Sequence, residues 1–362
     1  MAKFTCPFCI REYDKSKVLY VCLECKETAT PKIFEREPIK CRKCGRVAVS
    51  ECPFCCNYVP QAVLETPNLP FSIVGVDNSG KTSYITAMLH ELGRASDLGL
   101  FLKPLTIETH KHQRENYERI YEKHTRAEST QSGANMPQIW CVTNLNKKHR
   151  GMASAYTVTI FDGAGVDHEN LDTSSTECRY IKASKAIILV IDPLVLSGIR
   201  RGGVVDPDVM ANSSSGCLNG VKNTADVINN VVSYIKSERE IRVSQLLEIP
   251  VAVVLTKFDT IINHKSFGPQ ATIKRESRVI RNGKLDTTEI EQVDGEIRTW
   301  LREIGESAFI NVLESHFKEF YFFAVSSFGK PPVTKDTLVN DIRPHRVLDP
   351  ILWLFKKSKF ID

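Results

Sequence analysis

The sequence predicts an α/β fold, doubly wound around a mostly parallel sheet of about six strands with helices on both faces. Three observations predict it. Val251-Ala252-Val253-Val254-Leu255 is an unbroken apolar run of the kind a central parallel strand needs, because such a strand is buried on both faces. Phe71-Ser72-Ile73-Val74 reads as a short buried strand running into a glycine-bearing loop, then into a helix (Ser83 to His90) with apolar residues at helical spacing. Phe320-Tyr321-Phe322-Phe323-Ala324-Val325 repeats the pattern of an apolar strand delivering small polar residues, here Ser326 and Ser327. Sheets of this class bind ligands beyond the carboxyl ends of their strands, so the residues at those ends are the candidates.

A cysteine-rich module is expected ahead of the sheet, over residues 1–65, with a breaker-rich linker at 66–70 (Thr-Pro-Asn-Leu-Pro) and the α/β domain over 71–362. Eight of the chain's 12 cysteines form Cys-x-x-Cys pairs: Cys6/Cys9, Cys22/Cys25, Cys41/Cys44 and Cys52/Cys55. A Cys-x-x-Cys turn aims two thiolates at one ion, and two such knuckles complete a tetrahedral zinc shell. Pairing in sequence order gives two ribbons, Cys6, Cys9, Cys22 and Cys25 in one and Cys41, Cys44, Cys52 and Cys55 in the other; a cross-braced pairing stays open, and Cys56 is a spare ligand. Closed four-sulfur shells leave no position for a substrate, so the ions are expected to fold a segment too small to bury its own core. Such ribbons also present a surface to protein or nucleic acid, and the scattered Lys and Arg here do not choose between them.

The loop after Val74 is Gly75-Val76-Asp77-Asn78-Ser79-Gly80-Lys81-Thr82, a full G-x4-G-K-T between a strand and a helix. In that setting, backbone N–H groups from Asp77 to Ser83 face phosphates, Lys81 adds charge at the β and γ groups, and the Thr82 hydroxyl ligates magnesium. The run at 251–255 ends in Thr256-Lys257-Phe258-Asp259, matching the Asn/Thr-Lys-x-Asp element whose carboxylate accepts from guanine N1–H and the exocyclic amine, a donor pair adenine lacks. Between them Ala155 to Phe161 reads as a strand ending in Asp162-Gly163-Ala164-Gly165, where Asp162 holds magnesium through water and the Gly165 N–H reaches the γ-phosphate. The Ser327 N–H would meet guanine O6, beside Ser326, with Phe328 or Lys257 on the ring.

Four motifs in this order, each closing an expected strand, resemble the Ras-like (TRAFAC-type) superfamily of small P-loop GTPases over residues 70–358. The phosphate loop is most similar to the ADP-ribosylation-factor-like branch, and Thr-Lys-x-Asp to the Rho branch. Zinc ribbons joined to such a domain also resemble the double-GTPase proteins of bacterial conflict systems. The resemblance implies a switch that binds GTP or GDP with magnesium and hydrolyses GTP. Lys81 and Gly165 would then be catalytic, with a protein effector or regulator as partner and nucleic acid an alternative partner for the ribbons. Val166 departs from the pattern, standing where a glutamine orients the attacking water. Either hydrolysis is slow without a partner, leaving a nucleotide-gated adaptor, or His168 or Asp167 supplies the contact. Thr130 is the expected first-switch magnesium ligand, with Thr125 and Ser132 competing, and Arg126 is a candidate arginine finger whose bland reading is a solvated helix face.

Longer than a minimal switch, the chain carries extra segments: one between the first helix and a strand read at Gln138–Thr143, a glycine- and serine-rich stretch at 198–220 expected to be a loop, and Thr260–Gln292 with an Arg281-Asn282-Gly283-Lys284 hairpin signal. Leu348 to Lys357 is read as a covering last helix. With 42% hydrophobic and 25% charged residues and a net charge of +5, the composition is globular and excludes wholesale disorder. No run is long and apolar enough for a membrane span, and neither a signal peptide nor a lipid anchor is read at the ends, so a cytoplasmic location is expected.

Overall fold

The computed structural model describes residues 3–29, 38–75, 78–127, 136–149, 151–162, 176–202, 205–213, 224–281 and 284–362. The main sheet contains β1 (Asn68–Gly75), β2 (Leu100–Pro104), β3 (Gln138–His149), β4 (Met152–Asp162), β5 (Ala186–Ile191), β6 (Val251–Leu255) and β7 (Phe320–Ala324). Its seven strands lie in the order β7-β6-β5-β1-β4-β3-β2. Neighbours from β7 to β4 are parallel, whereas β4/β3 and β3/β2 are antiparallel. The expected count of six is thus corrected to seven. Two of the seven are not named in the sequence reading: β5, and β2, an edge strand hidden in the extra segment after the first helix, whose Leu100–Pro104 declares itself only by pairing with β3.

Alternation along the central strands builds two cores. Ile187, Leu189 and Ile191 of β5 and Val251, Val253 and Leu255 of β6 face one layer, containing α4 (Thr224–Glu238), α5 (Thr287–Glu303) and α6 (Ser307–His316). Ile188 and Val190, with Ala252 and Val254, face the other, containing α1 (Lys81–Arg94) and α7 (Asp349–Lys357). Each Val, Leu or Ile among them contributes roughly 1.5–3 kcal/mol on burial. The remaining labelled helices are α2 (Ile107–Tyr117) and α3 (Thr176–Ala183).

At the outer edge, β7 is covered rather than open. Asp294 of α5 accepts from the Phe322 N–H at 2.8 Å and pairs with Arg298 at 2.6 Å. The Arg298 guanidinium sits over the Phe320 ring, 4.5 Å from its centroid. The hairpin signal at 281–284 is realised as Ile280–Arg281 paired antiparallel with Lys284–Leu285. The glycine- and serine-rich stretch is not all loop: Ser197–Gly202 and Pro207–Ser213 are short helices. The last helix forms where expected, and Asn144 Nδ2 donates to the Phe360 carbonyl at 2.9 Å to hold the segment after it.

In the cysteine-rich module, Leu19–Cys22 pairs antiparallel with both Thr28–Ala29 and Ala48–Glu51, and Lys3–Thr5 pairs with Glu12–Asp14. Strand β1 begins at Asn68, inside the stretch read as a linker. Among the described residues, no helix is long and apolar enough to cross a membrane.

Candidate functional site

All four cysteine knuckles share one device. The N–H of the residue four positions after the first cysteine donates to that cysteine's carbonyl: Ile10 to Cys6 (2.9 Å), Lys26 to Cys22 (3.0 Å), Gly45 to Cys41 (2.9 Å) and Cys56 to Cys52 (2.9 Å). Each donor is left-handed, with φ of 61°, 60°, 73° and 56° in turn. Cys56 is therefore a turn residue, not a spare ligand.

The sulfurs gather in two clusters, Cys6, Cys9, Cys52 and Cys55 in a first site and Cys22, Cys25, Cys41 and Cys44 in a second, each set within 4.8 Å of one another. This nested pairing corrects the sequential one. The cause is the antiparallel register, which sets Cys22 opposite Ala48 and Leu19 opposite Glu51, so the inner knuckles meet at one end of the sheet and the outer knuckles at the other. A tetrahedron with Zn–S of about 2.3 Å has sulfur edges of about 3.8 Å. The first site shows 3.8 Å (Cys6–Cys55) and 3.7 Å (Cys9–Cys52), and the second 3.3 Å (Cys22–Cys44), 3.4 Å (Cys25–Cys41) and 3.7 Å (Cys25–Cys44). Each cluster fits one zinc ion.

The first site is walled by Phe4, Tyr13, Val18, Val59, Val63 and Leu64, and that core reaches Ile139 of β3. The second rests on Ala29, Ile39 and Ala48 with Tyr20 beside them.

At the end of β1, the described part of the glycine-bearing loop turns through Asn78 (φ 60°) and Gly80 (φ 87°) into α1. Gly75 is required by packing, since a Cβ there would stand 2.4 Å from the Val190 carbonyl oxygen. Lys81 is buried and its Nζ donates to the Gly75 carbonyl at 2.9 Å. Thr82 and Ser83 lie half-buried in the first turn of α1. The Ser79 hydroxyl is buried without a partner among the described residues, an orphaned polar atom that suits an anionic oxygen.

Thr256, Lys257 and Asp259, at the end of β6, are brought to this loop. Thr256 Oγ1 donates to the Ser79 carbonyl at 2.6 Å and lies 3.1 Å from the Ile191 carbonyl. Lys257, itself left-handed (φ 51°), donates from Nζ to the carbonyls of Asn78 (3.1 Å) and Ser213 (2.9 Å) and pairs with Asp192 at 2.5 Å. Asp259 accepts from the Ser326 hydroxyl, whose oxygen in turn accepts from the Gly329 N–H at 2.8 Å. Desolvation raises the Asp259 pKa, with the Ser326 bond opposing. Ser327 is buried and Phe328 half-buried beyond β7.

Arg126 is not on a helix face. It follows a π-helical turn (Glu118–Glu122), next to Thr125, which bridges Thr337; its guanidinium donates to the Asn212 carbonyl. Desolvation lowers its pKa, against the carboxylates of Asp336 and Asp192. Asp77, Thr130, Ser132, Gly165, Val166, Asp167 and His168 lie outside the described residues, as does the Asp162 side chain, although Asp162 itself closes β4. Sequence reading misses Asp192, the clamp on Lys257. A signal for it exists, since Ala186–Ile191 is another buried apolar run ending in a carboxylate.

No family model matches the chain, and no curated protein matches it. Among solved structures it is similar to the S. cerevisiae Ski7 GTPase-like domain bound to GTP (16% identity, TM-score 0.34) and to that domain bound to GDP and inorganic phosphate (14%, TM-score 0.30). Each match covers 72% of this chain and 43% of the other, so the chain spans less than half the length of the structures it matches. At these identities and scores the likeness carries no argument about activity. The molecule itself has a mostly parallel α/β sheet, a glycine-bearing strand-to-helix loop and two four-cysteine clusters.

Proposed function

We propose that this chain is a guanine-nucleotide switch that binds GTP or GDP with magnesium and turns GTP over slowly, with its two zinc-held knuckle pairs serving partner recognition. The observation that carries this reading is convergence: Lys81 from β1–α1 and Thr256 and Lys257 from β6 are tied to one loop by direct hydrogen bonds, and Asp192 at the end of β5 holds Lys257 in place. Asp259 stands two residues beyond Lys257 with its carboxylate fixed by Ser326. Lys257 would lie under the base while anchoring the loop through the Asn78 carbonyl. Asp259 would accept the two guanine N–H donors, and loop N–H groups with Lys81 would meet the phosphates. Magnesium, held by Thr82 and through water by Asp162, would neutralise charge on the β and γ oxygens. Val166, at the water-orienting position, supports slow turnover and gives weight to a second reading, a nucleotide-gated adaptor with negligible hydrolysis.

Magnesium-dependent binding of GTP, GDP and ATP, with phosphate release followed in the same samples, tests both readings. Preference for guanine with slow multiple turnover supports the switch, whereas binding without turnover supports the adaptor. Equal or better ATP binding removes the role given to Asp259. Asparagine keeps one acceptor oxygen but sets an amide NH2 against the second guanine donor, and a lost hydrogen bond to a charged acceptor costs roughly 1.5–3 kcal/mol, so Asp259→Asn is expected to weaken GTP binding by about 10- to 100-fold. Because desolvation raises the Asp259 pKa, the folded protein holds that proton to higher pH than the unfolded chain. The unliganded fold therefore loses a little stability as pH rises between the two values. Binding needs the carboxylate and weakens as pH falls through the raised value, above the usual carboxylate range; Asp259→Asn removes that limb of the profile.

A further inference from the structure

The first metal site touches the helix that follows the Asp162 end of β4. Tyr180 of α3 is buried at 1% exposure. Its hydroxyl donates to the Pro7 carbonyl at 2.5 Å and lies 3.0 Å from the Phe8 carbonyl, the two residues enclosed by the ligands Cys6 and Cys9. Its ring lies flat on Phe161, with centroids 4.1 Å apart and planes 7° from parallel, and Phe161 immediately precedes Asp162. Ser184 Oγ donates to the Tyr180 carbonyl at 2.8 Å and lies 2.6 Å from Ser72 Oγ in β1, the strand that runs into the phosphate loop. One residue thus joins a metal-binding knuckle to both strands that end at the candidate phosphate site.

We infer that Tyr180 is a positioning residue coupling the first metal site to the phosphate state of the nucleotide, an inference that rests on the switch reading above. In such switches the presence or loss of a γ-phosphate places different demands on the second strand-end motif. Phe161 stands at the start of that motif, and the flat stack leaves the Tyr180 ring little freedom to stay put if Phe161 shifts. The hydroxyl, being buried, has Pro7 and Phe8 as its acceptors, so a moved ring either drags the knuckle or abandons it. Coupling of this kind is reciprocal: the nucleotide state that favours the knuckle's geometry holds zinc more tightly, and zinc favours that nucleotide state by the same factor. The second site rests on Ala29, Ile39 and Ala48 and meets the first site's core through Tyr20, and it serves as the comparison.

The test uses the full zinc-loaded chain with magnesium and either GDP or a non-hydrolysable GTP analogue, challenged with a chelator while cysteine alkylation is followed by mass spectrometry. Cys6, Cys9, Cys52 and Cys55 are expected to label at rates differing about fivefold or more between the two nucleotides. Cys22, Cys25, Cys41 and Cys44 are expected to label alike in both. Tyr180→Phe keeps the stack and removes the donor, and should bring the two first-site rates together while changing the ratio of analogue to GDP affinity by the same factor. Phe161→Leu, which removes the stack and keeps the hydroxyl, should narrow the same difference from the other end. A merely structural role would shift both nucleotide states equally. Equal first-site labelling with both nucleotides bound overturns the coupling alone, as does a difference that survives in both variants. A chain that binds neither nucleotide overturns the switch reading and the coupling together.

Discussion

The two four-cysteine clusters are built from the same knuckle, yet they sit in different surroundings. The first is part of a core with Phe4, Tyr13, Val63 and Leu64 that continues into Ile139 of the main sheet. The second is flanked by Ala29, Ile39 and Ala48, with Tyr20 packing against both cores, and its Cys44 is exposed. Local geometry is therefore set by the repeated turn, while what an ion stabilises is set by the neighbours. An ion in the second site would fold its own hairpin; an ion in the first would also hold the module against the sheet.

The sharpest way to break this contrast is to remove one ligand from each site. Cys52→Ser should reduce the bound zinc from two ions to one and lower the stability of the whole chain by about 3 kcal/mol or more, since structural zinc sites bind with about 10 kcal/mol or more of folding energy. Cys44→Ser should remove the same amount of zinc yet lower the stability of the main sheet by clearly less than Cys52→Ser does. Metal analysis combined with thermal melts decides it; equal shifts would mean that the two sites are energetically alike. Ile139→Ala tests the joint itself. With the side chain fully buried, the expected loss is about 2–5 kcal/mol in chemical denaturation, with first-site zinc released faster and second-site zinc unaffected. The smallest effect is expected for Cys56→Gly. Relief of a left-handed non-glycine residue outweighs the added freedom of the unfolded chain, a gain of about 0.5 kcal/mol, with both zinc ions retained. Loss of an ion in that variant would restore Cys56 as a ligand.

What can be read in advance is what is local. The strand-loop-helix at Gly75–Thr82, the Thr256–Asp259 strand end, the four knuckles, the 280–285 hairpin and the last helix each announce themselves within a few residues. What cannot be read depends on register and long-range contact. The nested cysteine pairing follows from Leu19–Cys22 lying antiparallel to Ala48–Glu51, and neither strand carries a mark of its partner. Strand β2 is short and ends in Lys103-Pro104, so its composition alone does not separate it from loop. Tyr180 resembles any buried aromatic residue until Pro7 and Phe161 are placed around it. Arg126 lies so close to the helical pattern at 116–123 that a helix face is the natural reading, whereas the chain has already turned extended to bridge the 333–338 segment.

The carboxylate of Asp294 on the Phe322 N–H has a consequence for how this molecule meets its own kind. An outer strand normally offers a row of free donors and acceptors on which another chain can add as a further strand, the first step of sheet-to-sheet aggregation. Here a side chain from α5 occupies a donor in the middle of β7, and Arg298 covers the neighbouring rings. A growing stack would have to displace a half-buried ion pair to continue past that point. The edge of the sheet is thus guarded by a packing contact made from α5 itself.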